Sequence, residues 1–184
     1  MAGIGHNNGP TMEKGRAWRR YAWTRARADL LPKLPLEVAR RRVRRARELG
    51  IDYASYAGIR AATGRDIVAL LFSTNALAAL RDLNIPEERD ATVQAVRGAD
   101  LLAMVQPPID PHTFRERHPV FIRAARAPGI ASSWRETGGA LADLRGAVPA
   151  DGVVVIGATH LERDWVAAGR LAGFIKADRY FASR

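Results

Sequence analysis

With 184 residues, 47% of them hydrophobic and 26% charged, the chain has the length of one ordinary domain and enough apolar content for a packed core. It contains no cysteine, which excludes disulfides, thiolate metal sites and cysteine nucleophiles, and no apolar run approaches the roughly 18 residues of a membrane span. The net charge of +10 is unevenly placed: residues 1–50 hold 13 Lys/Arg against 4 Asp/Glu, and residues 51–184 hold 16 against 15.

A basic first quarter followed by a balanced remainder favours a polyanionic partner: nucleic acid, an acidic surface or an acidic protein. Arginine outnumbers lysine 26 to 3, a bias that GC-rich coding also produces, so arginine identity alone does not argue for phosphate recognition.

Residues 1–10 carry glycines, asparagines and a proline without a hydrophobic period, the composition of a flexible leader. The string GIGHNNGP, Gly3 to Pro10, resembles a leader that opens many alphaproteobacterial proteins of unrelated function. That resemblance spans eight residues and implies no activity. The leader lacks the apolar core of a signal peptide, and with the absence of cysteine this predicts a cytoplasmic protein.

A first helix is expected from Thr11 to just before Pro32, with Glu13 in its first turn. Trp18, Tyr21 and Ala22 share one side of it, and Arg16, Arg20 and Arg27 lie roughly opposite. Trp23 falls nearer the arginines, placed either to stack beneath one of them or to serve as a platform for a base. Pro35 opens a second helix, Leu36 to Leu49, stopped by Gly50. At 100° per residue, Leu36, Val38, Ala39, Val43, Ala46 and Leu49 occupy about half its circumference, and Arg40, Arg41, Arg44, Arg45 and Arg47 most of the other half. Such a face repels itself in water and is relieved by phosphates; the competing reading is a solvated face whose long side chains cover apolar surface.

Asp52 caps a third helix, Tyr53 to Ala62, closed by Thr63 and Gly64, and Asp66 to Leu80 reads as a fourth, apolar on nearly every face and therefore buried. Helices two to four have a helix-turn-helix outline with a glycine at the turn. The last of them offers Ile67, Val68, Leu70, Leu71 and Phe72 to a groove, with only Ser73, Thr74 and Asn75 polar, which argues against base reading. A short helix follows Pro86.

The second half changes pattern. Asp100–Gln106 and Gly152–Gly157 are short apolar runs bounded by Pro or Gly, as in buried strands. Helices are expected between them at Pro111–Ala127 and Ser132–Gly146, with Gly138-Gly139 marking a kink, and another after the second strand from Leu161. RYFAS, near the C-terminus, is the candidate third strand. Strand, long crossover and strand imply parallel pairing.

Ligands of parallel sheets favour the carboxyl ends of the strands. Those ends carry Asp110 and His112 after one strand, and His160 and Glu162 after the other. If the two strands were neighbours, these four would form a candidate acid–base or hydrolytic metal site, although Asp110 and Thr159 are equally explicable as helix N-caps and Glu162 as a first-turn acid facing the dipole. No phosphate-binding glycine loop, zinc-protease motif or serine-nucleophile elbow is present.

The expected protein is therefore helix-rich α/β: a leader over 1–10, a basic helical region over 11–82 and a small two- to three-stranded parallel α/β domain over 83–184. The expected function is non-enzymatic binding of an anionic partner, nucleic acid first, without a cofactor. Phosphate contacts are assigned to Arg16, Arg20, Arg40, Arg41, Arg44, Arg45 and Arg47, with Trp23 stacking, and base-sequence preference is expected to be low. The alternatives are a small metal-dependent hydrolase or nuclease using Asp110, His112, His160 and Glu162, and a protein–protein adaptor that turns the same basic face to acidic side chains.

Overall fold

The computed structural model describes residues 35–81 and 83–182. The chain divides into two compact units, 1–39 and 40–184, and almost everything described belongs to the second.

Its centre is a five-stranded, wholly parallel sheet in the order β3-β2-β1-β4-β5. The strands are β1 (Ala69–Ser73), β2 (Asp100–Val105), β3 (Arg123–Arg126), β4 (Val153–Gly157) and β5 (Gly173–Lys176). Seven α-helices accompany them among the described residues: α1 (Leu36–Glu48), α2 (Tyr53–Thr63), α3 (Glu87–Gln94), α4 (Pro111–Arg117), α5 (Trp134–Arg145), α6 (His160–Gly169) and α7 (Ala177–Ala182). The protein is helix-rich α/β, with five strands where two or three were expected.

The middle strands explain their own placement. ALLFS and VVVIG are buried at every position, and DLLAMV at all but its first. Strands covered on both faces need apolar side chains in both directions, so they read as unbroken apolar runs. Odd and even positions feed two separate cores. Leu70, Phe72, Ala103, Val105, Val154 and Ile156 pack with Leu49, Tyr56, Val93, Phe114 and Tyr180, from the helix end or helices on one side of the sheet. Leu71, Leu102, Met104, Val153 and Val155 pack with Leu141, Leu144 and Trp165 of α5 and α6 on the other. Phe72 meets Phe121 and Tyr180 edge-on, at ring separations of 5.9 and 5.5 Å.

Three sequence expectations are corrected. Asp66–Leu80 is not a helix: it holds β1, the central strand, followed by a turn in which Ala78 takes a positive φ of 59°. Burial on both faces erased the period-two alternation that distinguishes a strand. The stretch Pro111–Ala127 holds only α4 before the chain extends into β3, and RYFAS lies largely within α7, the strand being the preceding Gly173–Lys176. β1 lies in the same sheet as β2 and β4.

Other boundaries fall where the sequence places them. Asp52 caps α2 through Ser55 N–H at 2.9 Å, and Gly64 ends it at φ 70°. α5 continues through Gly138, whose missing side chain admits α6, since a Cβ there would lie 2.8 Å from the Ala168 carbonyl oxygen.

Candidate functional site

Two regions carry the residues singled out from the sequence: the outer face of α1 and the carboxyl edge of the sheet. Arg16, Arg20 and Trp23 lie outside the described residues.

On α1, Ala46 is buried, as is Leu49 just beyond the helix end, while Arg40, Arg41, Arg44 and Arg47 are exposed. Their spacing of one, four and seven residues from Arg40 keeps them on one side of the helix. Glu48 lies between two basic neighbours, 3.9 Å from Arg44 and 3.4 Å from Arg45.

Arg45 differs from the other four. Its side chain is only 17% exposed and turns inward. Nε donates to Asp66 at 3.2 Å, and the two terminal nitrogens donate to the carbonyls of Ile67 (2.9 Å), Gly98 (2.9 Å) and Arg97 (3.3 Å). A planar fork with five donors suits such a cluster of acceptors. Gly98 makes room for it: at φ 69°, a Cβ there would sit 2.7 Å from the guanidinium. Asp66 also accepts from the Tyr56 hydroxyl at 2.8 Å, and burial together with that carboxylate raises the pKa of the phenol. Arg45 thus pins α1 to the segments that lead into β1 and β2.

At the carboxyl edge, β1 leads to a helix on one side of the sheet and β4 to a helix on the other, so the topological switch point lies between their ends. At this point stand Ser73, the last residue of β1, Thr74 and Asn75 after it, and Ala158, Thr159 and Glu162 after β4. Glu162 is fully buried. Its Oε2 accepts from the backbone N–H of Ala158 (2.6 Å) and Thr159 (2.9 Å), its Oε1 from Asn75 Nδ2 (2.9 Å), and its own N–H donates to the Thr159 hydroxyl at 3.3 Å. This is a capping box extended by one side chain from the neighbouring strand. Gly157 permits it, because a Cβ there would lie 3.1 Å from Glu162 Oε2. Ser73 Oγ accepts from Ala76 N–H at 3.0 Å, and Thr74 Oγ1 from Gln106 N–H at 2.9 Å. The polar groups at the switch point are bonded to one another.

The four acid–base candidates do not converge. β1 stands between β2 and β4, which separates the two loop sets by two strand spacings, about 10 Å. Asp110 caps α4 through His112 and Thr113 N–H, both at 3.0 Å, and chiefly the Thr113 bond holds its carboxyl below the usual aspartate range. His112 is exposed and faces Glu116 at 3.5 Å. His160 begins α6 and is exposed, whereas Glu162 is sealed beneath it. Among the described residues, no group of three or more His, Cys, Asp or Glu side chains is arranged to hold a metal ion. No helix in the described part is long and apolar enough to cross a membrane.

A basic cleft of about 330 Å³ opens beside α6 at the ends of β4 and β5, lined in part by His160, Arg163, Lys176 and Arg179. Sequence reasoning passed over the last three. Their signal is a cation one turn after a strand-end cap, and two cations at and just after the end of β5, a strand of four residues with no apolar run of its own.

Compared with models of known protein families, with curated proteins and with solved structures, the chain matches none.

Proposed function

We propose that the protein is a binding protein for an anionic macromolecule, nucleic acid first, which it grips by the phosphate backbone through the outer face of α1. The observation that carries this reading is the division of labour among the α1 arginines. Arg45 is used internally to fix the helix, while Arg40, Arg41, Arg44 and Arg47 are exposed on the side away from the buried Ala46 and Leu49.

A row of guanidinium groups on an anchored helix meets successive phosphates without a large ordering cost and releases their counterions on contact. Such contacts position a duplex and carry little base information. Arg16, Arg20 and Trp23 extend the proposed interface along the sequence, and Arg45 supports it from within. The bonded switch point accords with a binding role for the α/β body, because its one carboxyl and its hydroxyls already serve the turns around them.

Charge reversal tests the reading. The variant with Arg40→Glu, Arg44→Glu and Arg47→Glu should lose binding to duplex DNA and single-stranded RNA while melting within a few degrees of the parent, since surface changes of this kind shift stability by about 0.5 kcal/mol each at most. Retained binding in the triple variant excludes α1 as the interface.

A further inference from the structure

The basic cleft at the ends of β4 and β5 is separate from the α1 face, and its inference does not rest on the nucleic-acid reading. Among the described residues, every ionisable side chain that lines it is basic: His160, Arg163, Lys176 and Arg179. Arg163 makes no ion pair among the described residues; its guanidinium carbon lies 5.5 Å from the centre of the Phe174 ring, which forms part of the same wall. Lys176 and Arg179 do have carboxylate partners, Asp178 at 2.9 Å and Asp52 at 3.1 Å, but neither acid lines the cleft. The Lys176–Asp178 pair is exposed on both sides, and exposed pairs of this kind contribute little; Arg179 is 60% accessible, while its partner Asp52 is half-buried. An incoming dianion can therefore recruit Lys176 at small cost.

The cleft lies at the carboxyl edge of the sheet, one strand away from the switch point, and its volume of about 330 Å³ is that of a pocket for a metabolite. Two guanidinium groups and an ammonium match the terminal oxygens of a phosphate monoester, which form charge-assisted hydrogen bonds with such donors. The aromatic wall gives the remainder of the ligand an apolar surface. The backbone N–H groups of Ala158 and Thr159 are not part of the recognition, because Glu162 already occupies them.

We propose that this cleft binds the phosphate monoester of a small metabolite of mononucleotide size, with Arg163 and Lys176 as the principal phosphate contacts and Arg179 and His160 completing the wall.

The test is a titration of the full chain with inorganic phosphate, adenosine 5′-monophosphate and adenosine, followed by calorimetry and by amide NMR shifts. The nucleotide should bind saturably, inorganic phosphate should compete with it, and adenosine should bind at least tenfold more weakly. The shifts should cluster at residues 158–163 and 174–179. Arg163→Gln with Lys176→Gln should weaken nucleotide binding at least tenfold with an unchanged melting temperature, and each single variant should lose part of that. Three results overturn the proposal: no saturable binding at millimolar nucleotide, binding that survives the double variant, or displacement of the nucleotide by duplex DNA in proportion to DNA occupancy, which would make the cleft part of a polymer interface.

Discussion

Arg45 and Arg44 are neighbours in sequence with opposite roles, and the difference is measurable. Arg45 donates to three backbone carbonyls and to Asp66 at the junction of α1 with the approaches to β1 and β2. Removing it with Arg45→Ala leaves these acceptors to water or to nothing, and should lower unfolding stability by about 1.5–3 kcal/mol in urea melts. Arg44→Ala, at an exposed side chain, should leave the melt nearly unchanged and weaken nucleic-acid binding. If both variants behave alike in both assays, the division of labour on α1 is wrong. A second residue-scale prediction concerns Asp52. Burial alone would raise its carboxyl pKa, but hydrogen bonds from Ser55 and the nearby Arg179 outweigh that and hold it below the ordinary value of about 3.9. A depressed folded pKa means that the stabilisation is present above the unfolded value and disappears as pH falls through the folded one. Asp52→Ala should therefore cost about 0.5–2 kcal/mol near neutral pH, and the gap between variant and parent should close in acid, below the ordinary aspartate range.

At the scale of elements, the two features that join the sheet to its helices are the Glu162 network and the α5–α6 contact. Glu162→Ala would strand three donors, from Ala158, Thr159 and Asn75, at the end of the central strands. Ala158 and Thr159 are exposed and their N–H groups can turn to water, so the cost is that of the lost charge-assisted bonds, about 1.5–3 kcal/mol in all, and thermal melting should fall accordingly. A small effect would show that the network is dispensable. At Gly138, any Cβ is driven against the Ala168 carbonyl; Gly138→Val should force the helices apart and destabilise by about 1–3 kcal/mol, read by the same melts. Much of this level was legible in the sequence. Asp52, Asp110 and Thr159 identify themselves as caps, because a short oxygen-bearing side chain before an amphipathic run has a defined job. β1 was not legible: Leu70, Leu71 and Phe72 are buried on both faces, so neither helical nor strand periodicity survives. β3 was hidden for the opposite reason. Its sequence, RAAR, is a partly exposed edge with small side chains and no apolar run at all.

For the molecule as a whole, the place of β1 between β2 and β4 decides which loops meet. With β1 absent, the strands ending in Asp110 and Thr159 look adjacent and their acids and histidines appear to meet; with β1 between them, they are held apart. The switch point then falls on Ser73-Thr74-Asn75, which in the expected helix Asp66–Leu80 form its one polar cluster. The arginine face of α1 was readable from spacing, since it depends only on local periodicity. Arg45's inward turn was not, because its acceptors are 21 to 53 residues away in the chain. Net charge, by contrast, is a property of the whole chain, and it sets the form of the most direct test. In fluorescence anisotropy with duplex DNA or single-stranded RNA between 50 and 200 mM salt, four backbone-contacting arginines predict a steep loss of affinity, with a log–log slope of about −3 or steeper on duplex and slightly shallower on single strands. Binding of that slope, abolished by Arg40→Glu, Arg44→Glu and Arg47→Glu together, is the predicted result. Absence of binding at the lowest salt, or affinity indifferent to salt, contradicts it.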